Sequence, residues 1–357
     1  MRATHITALG ATLLMATGCG TRQESERGGE VVTQGRVVPA VQDAKLTPAE
    51  LAMFAQLPAR MEAPGPVPSE ARIALGRTLY YETLLSDGHD VSCNSCHPLN
   101  GYGADGRRVS LGHKGQEGSR NANTVYNAAG QVAQFWDGRA PNVEEQAKGP
   151  ILNPAEMGMP GSGAVLKHLQ ASPQYRAAFA AAFPGESSPI TYDNVGRAIG
   201  AFERGLVTPA RWDKYLAGDS TALTEQEKRG AKTFIAAGCT NCHAGAYVGG
   251  RMFQKAGLVK PWPALADSGR IAVTKATGDR FVFKVPVLRN IEKTGPYFSD
   301  GSVASLDSAI VMMGRYQLGV SLTDPQVKDI HAWFRTLTGE IPVSYVAQPP
   351  LPPKAGN

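Results

Sequence analysis

Apolar residues recur at helical spacing in several stretches of the chain. Val195, Ile199 and Phe202 share one face of a helix predicted from Asp193 to Arg204. Val327, Ile330, Phe334 and Leu337 do the same from Asp324 to Leu337, with Gly339 as the stop. Two helix starts carry capping boxes. One is Thr47-Pro48-Ala49-Glu50, with proline at the first helical position; the other is Thr224-x-x-Glu227, opening a helix that runs up to Gly238. The segment SLDSAIVMMGRY predicts a helix ending at Gly314. Alternating patterns are scarce, and Phe281 to Val287 is the best strand candidate. The pattern predicts a mainly α chain with long loops and little β.

The organisation repeats. A Cys-x-x-Cys-His motif stands at Cys93, Cys96 and His97 and recurs at Cys239, Cys242 and His243. An amphipathic helix follows each. Two similar units in tandem predict two domains, residues 46–206 and 207–342, joined near Leu206 to Ala210. The ends read differently. Residues 1–18 form an export signal: Arg2, an apolar stretch from Ile6 to Met15, then Ala16, Thr17 and Gly18 directly before Cys19. That stretch is shorter than the roughly 20 residues needed to span a bilayer. Small residues before a cysteine resemble a lipobox, although Ala16 stands where leucine is usual. The expectation is a periplasmic protein, lipid-anchored to the membrane through Cys19. Residues 19–45 are polar and read as a flexible tether, and residues 343–357 as a Pro-rich extended tail.

Composition narrows the classes. Of 357 residues, 42% are apolar and 19% charged, which suits a buried core and excludes a disordered chain. The formal charge of +5 comes without a long basic run, so no nucleic acid is expected as partner. Five cysteines are an odd number for an exported disulfide framework. The motif chemistry resolves this. In Cys-x-x-Cys-His the two thiols form thioethers to a haem, and the histidine becomes an axial iron ligand. A redox dithiol would not need a trailing histidine twice, and a zinc site would want four clustered ligands. Two covalently bound haem c groups therefore use four cysteines. For the second haem, Met252, Met312 and Met313 follow the motif as candidate sixth ligands. For the first, spacing leaves His89, His113, Met157, Met159 and His168 open. His113 lies in a run of glycines that can rearrange cheaply.

Several runs are similar to those of a known family. LGRTLYYETLLSDGHDVSCNSCH, SLGHKGQEGSRNANTVYNA, QFWDGRA, EEQAKGPILNPAEMGMP and KVPVLRNIEKTGPYFSDGSVASLDSAIVMMGRYQLG together resemble the bacterial di-haem cytochrome c peroxidases, over about residues 45 to 342. The resemblance implies two tandem cytochrome c-like haem domains. It implies a peroxidatic, low-potential haem on Cys93 and Cys96, with His97 proximal and His113 as the distal ligand of the resting enzyme. It implies a high-potential haem on Cys239 and Cys242, with His243 and Met313 as its ligands. By the same resemblance Trp136 lies between the haems, Gln146 and Glu156 form the polar pair of the peroxide pocket, and Asn121, Thr294 and Pro296 hold calcium. The implied activity is reduction of hydrogen peroxide to water by a small periplasmic cytochrome c or blue-copper donor, and the family often forms homodimers. Ser299 departs from the family, which commonly has histidine there. Two other activities stay in view: a di-haem electron carrier, which needs a permanent ligand such as Met157 on the first iron, and a di-haem oxidase that modifies a partner protein, a branch that carries tyrosine where Met313 stands.

Overall fold

The computed structural model describes residues 35–62, 67–263 and 266–353. The export signal and Cys19 lie outside the described residues. Two helix crossings organise the rest. The helix Glu70–Tyr81 starts at Ser69, whose side chain accepts from the Arg72 amide. It buries Ile73, Gly76, Leu79 and Tyr80 against the helix Tyr192–Glu203. A Cβ on Gly76 would stand 1.8 Å from the Ala198 carbonyl oxygen. The second crossing repeats the first. The helix Glu225–Ala237 opens on the Thr224–Glu227 capping box and ends at Gly238, with φ 92°. It packs on Asp324–Thr336, where a Cβ on Gly230 would stand 1.9 Å from the Asp329 carbonyl oxygen and 2.9 Å from Trp333 Cβ. Only a residue without a side chain fits at either contact. In each half the first crossing helix leads toward the Cys-x-x-Cys-His motif.

Each crossing carries its own hydrophobic core. Leu79, Tyr80, Leu85, Ile151, Tyr175, Phe179, Ile199 and Phe202 belong to the first. Trp212, Phe234, Ile330, Trp333, Phe334 and Leu337 belong to the second. Both lie in one compact unit. Buried polar groups connect them: Thr208 Oγ1 accepts from Asn127 Nδ2 at 2.9 Å and from Asn290 Nδ2 at 3.0 Å. Arg289, fully buried, makes a two-pronged ion pair with Asp213 at 2.6 and 2.9 Å.

The ends of the described chain differ from the sequence expectation. Residues 36–45 are not a free tether: Arg36–Val37 pairs in parallel with Val320–Ser321, Val38 is buried, and Gln326 Nε2 donates to the Val38 carbonyl at 2.9 Å. Leu46 and Phe54 pack in the second core rather than with residues 46–206, and the Phe54 ring meets Trp212 edge-on at 5.2 Å. The predicted tail is also docked. Val343–Val346 forms a helical turn, Tyr345 stacks on Phe202 at 5.2 Å, and Tyr81 Oη donates to the Val346 carbonyl. Apolar and aromatic side chains inside polar or Pro-rich stretches supplied the burial in each case. The predicted strand shortens to Val282–Lys284, paired antiparallel with Phe253–Lys255. The helix expected to stop at Gly314 runs Leu306–Met312 and continues as a π-helical segment, Met313–Leu318. Among the described residues no helix is long and apolar enough to cross a membrane.

The crossings make a direct prediction. Gly230→Val forces two backbones apart and destabilises the protein by about 3 kcal/mol, the upper end of the overpacking range. Equilibrium urea unfolding of the purified chain measures it, and a midpoint equal to wild type would refute the backbone contact.

Candidate functional site

The second motif opens onto a cavity. Cys239–Asn241 forms a tight turn directly after Gly238, and His243 follows, buried. His243 Nδ1 faces the Val248 carbonyl at 3.3 Å, so Nε2 keeps its lone pair. Gly249, at φ 130°, permits this approach, since a Cβ there would meet Pro286 O at 2.2 Å and His243 Nδ1 at 3.0 Å. Burial lowers the His243 pKa to about 4, which keeps the ring neutral and able to ligate. Cys239, Cys242, His243 and Met313 all line a cavity of about 1660 Å³, its open mouth included. Phe234, Leu306, Ile310 and Leu318 make its walls apolar. Met312 points elsewhere, into an outer groove with Asp307 and Lys328. Two unpaired thiols, a neutral imidazole and a thioether around an apolar slot fit a covalently attached haem.

The first motif is built alike. Cys93–Cys96 makes one helical turn and His97 caps it. His97 Nδ1 faces the Gly103 carbonyl at 3.1 Å, and Tyr80 Oη donates to the His97 carbonyl at 2.8 Å. Burial holds the His97 pKa below its ordinary value.

His113 is buried on the glycine loop. Its Nδ1 lies 3.0 Å from both Asp90 oxygens. Its Nε2 is buried with no hydrogen-bond partner, the nearest carboxylate being Asp87 at 3.4 Å. An imidazole with one nitrogen held by a carboxylate and the other making no hydrogen bond, only the 3.4 Å contact to Asp87, can turn that second nitrogen to a metal. The loop rests on the main chain at Glu156: His113 N donates to Glu156 O at 2.6 Å, and a Cβ on Gly112 would stand 2.5 Å from that same oxygen.

The Glu156 side chain joins this site. Ionised, it would add to the burial that raises the Cys93 and Cys96 thiols. Burial raises its pKa, offset in part by Arg139 and by a hydrogen bond with Asn153. Gln146 is half-buried on the helix Val143–Leu152, just before the Glu156 turn. Of the other candidate ligands, Met157 and Met159 are buried in the first core, and His89 and His168 meet edge to face at 4.9 Å.

Trp136 lies on the wall of the second cavity. Its Nε1 donates to Asn121 O at 2.9 Å, and its carbonyl accepts from Lys284 N at 2.8 Å. Arg120 pins the neighbouring Asp137 at 2.5 Å and Asp267 at 2.8 Å. Asn121, Thr294 and Pro296 stand on the same cavity wall, although Asn121 Nδ2 donates to Arg107 O at 2.9 Å. Ser299 is buried there too, its hydroxyl bonded to Asp267 and its carbonyl to Asn121 N at 2.8 Å.

Charged residues at these sites that the sequence reading did not single out include Asp90 behind His113 and Arg139, Glu203 and Lys284. Arg139 acts on Glu156 and lies over the Phe135 ring at 3.4 Å. Glu203 is buried near Cys93, and burial, then Glu144, pushes its carboxyl up to about 8. Lys284 is buried on the second cavity wall. A lysine inside the apolar run VFKVPV and a glutamate ending a buried helix were the available signals.

The sequence model described as "Di-haem cytochrome c peroxidase" matches residues 70–221. A cytochrome c551 peroxidase of Pseudomonas aeruginosa is 43% identical over 297 residues, covering 82% of this chain and 86% of that protein. A cytochrome c551 peroxidase of Nitrosomonas europaea is 45% identical over 278 residues, covering 77% and 82%. The solved structure of a MauG-like protein associated with microbial copper homeostasis matches with a TM-score of 0.73 at 30% identity, over 82% of this chain and 97% of that one. With two Cys-x-x-Cys-His sites on a repeated helical crossing, and this identity along most of its length, the chain belongs to the di-haem cytochrome c peroxidase family.

Proposed function

We propose that the chain reduces hydrogen peroxide to two waters, taking two electrons from a small donor protein and two protons from its surroundings. The observation that carries this reading is His113, a buried imidazole held by Asp90 at Nδ1, its Nε2 making no hydrogen bond and lying 3.4 Å from Asp87, on a glycine loop that rests on Glu156 beside the first motif. Two haem c groups, when bound, supply the iron and the electron storage. His97 and His113 would hold the first iron and His243 and Met313 the second, with the four motif cysteines as covalent anchors.

The protein's own groups do the rest. His113 closes the first site, and the glycines around it let the loop withdraw without strain. Glu156 holds or moves a proton at the peroxide oxygens, and Gln146 orients them. Burial suits Glu156 to this, because its pKa lies closer to neutrality than an exposed carboxylate's. Trp136 bridges the region between the two motifs. Asn121 with the carbonyls of Thr294 and Pro296 forms the calcium site in this reading, an all-oxygen set without a carboxylate. The donor is a cytochrome c or blue-copper protein, and the protein works in the periplasm, anchored through Cys19.

Glu156→Gln lowers peroxide turnover with a reduced donor by roughly 10²- to 10⁴-fold, the usual contribution of a positioned acid–base group, with two haems still attached. Turnover equal to wild type would remove Glu156 from the chemistry. The wild-type acid limb follows from the raised pKa: the carboxylate is lost as pH falls through that value, so activity declines at higher pH than an ordinary glutamate would dictate. Asp90→Asn removes the carboxylate behind His113 and weakens its hold on the iron by roughly 10- to 100-fold. The oxidised protein then shows more high-spin absorption; an unchanged spectrum would count against His113 as the closing ligand.

A further inference from the structure

Lys284 has no role in the reading above, yet it is buried at 4% exposure on the wall of the second cavity. Its ammonium has one hydrogen-bond acceptor, the neutral Gln131 Oε1. No carboxylate pairs with it among the described residues, and none of the residues lining the cavity is Asp or Glu. Elsewhere in the described chain, buried cations are matched: Arg289 by Asp213, and Arg204 by Glu144 at 2.7 Å. Burying a cation without a counter-charge costs several kcal/mol. Burial accordingly pulls the Lys284 ammonium down to about 8. A short strand holds the residue rigidly, and its amide is bound to the Trp136 carbonyl at 2.8 Å.

The cavity beside it accepts the second haem, which carries two propionate carboxylates. We propose that Lys284 is the buried counter-ion of one propionate of the second haem. It thereby fixes the haem's rotation in the slot and ties its edge to the strand Val282–Lys284, whose last amide is bound to the Trp136 carbonyl. The inference rests on the second cavity being a haem site, and it does not depend on peroxide chemistry. As a fixed positive charge, Lys284 favours the reduced, more negative state of that haem. It is a positioning residue, acting through the haem and not on peroxide.

The test is a spectroelectrochemical titration of the two-haem protein with Lys284→Gln and Lys284→Arg. The second haem's midpoint potential shifts negative in Lys284→Gln and stays near wild type in Lys284→Arg, while the first haem's potential is unmoved. An unchanged second potential in Lys284→Gln, with two haems attached, overturns the proposal. Should Lys284→Gln not assemble both haems, a crystal structure of the loaded wild type decides. Lys284 Nζ within ion-pair distance of a propionate oxygen supports the assignment; an ammonium bound to Gln131 alone, with both propionates elsewhere, overturns it. Peroxide turnover is measured in parallel, so that a failed peroxidase reading with a shifted potential stays distinct from a failed lysine assignment.

Discussion

Two close approaches of helix backbone, at Gly76 and at Gly230, set everything downstream of them. Each brings the helix before a Cys-x-x-Cys-His motif against the last long helix of its half, and each is tight enough to exclude a methyl group. The side chains behind the crossing, Phe202 in one half and Trp333 in the other, then fill the core under the motif. The second motif follows its locked helix directly after Gly238, and the first is tied back to its helix by Tyr80 Oη, which donates to the His97 carbonyl at 2.8 Å. The motif histidines receive a fixed backbone carbonyl at Nδ1, Gly103 in one case and Val248 in the other, and the proposed reading gives Nε2 to iron. A ligand defined to a fraction of an ångström depends on such a scaffold.

On this shared frame the two sites diverge opposite the motif. In the second, Met313 begins a π-helical segment running on from a regular helix and lines an apolar cavity. In the first, His113 sits on a loop held by Asp90 at Nδ1 and at the Lys114 amide, by Asp87, and by a main-chain bond to Glu156. A ligand on packed helix stays, whereas one on a glycine loop can exchange its few bonds for others. In the proposed reading this difference separates electron storage from peroxide binding. The loop's main-chain bond also makes His113 and Glu156 neighbours, so movement of one alters the surroundings of the other.

Much of the frame was legible in the sequence because it rests on local signals. The Thr224 capping box, the Gly238 stop and the apolar face of Val327, Ile330 and Phe334 depend on a few neighbouring residues, and each appears where the spacing predicted. The motifs themselves were unmistakable for the same reason. Long-range decisions were not legible. Nothing local says that Phe54 packs between Trp212 and Trp333, or that Tyr345 returns to lie on Phe202. Those residues sit in stretches whose average composition is polar or Pro-rich, and the average hid the few side chains that matter. Spacing alone left His89, His113 and His168 open and the resemblance pointed to His113; the fold adds that His113 is buried with Asp90 on one nitrogen and no hydrogen bond on the other. Lys284 was hidden because a lysine in a short strand ordinarily faces water.

In the proposed reading one chain holds two unequal haem sites, and we propose that reduction of the second haem releases His113 from the first. A redox titration followed by electron paramagnetic resonance tests it most directly. The account predicts two distinct ferric signals in the oxidised protein, with the first haem changing from low spin to high spin as the second is reduced. A first haem that remains low spin throughout, from full oxidation to reduction of both irons, would contradict it.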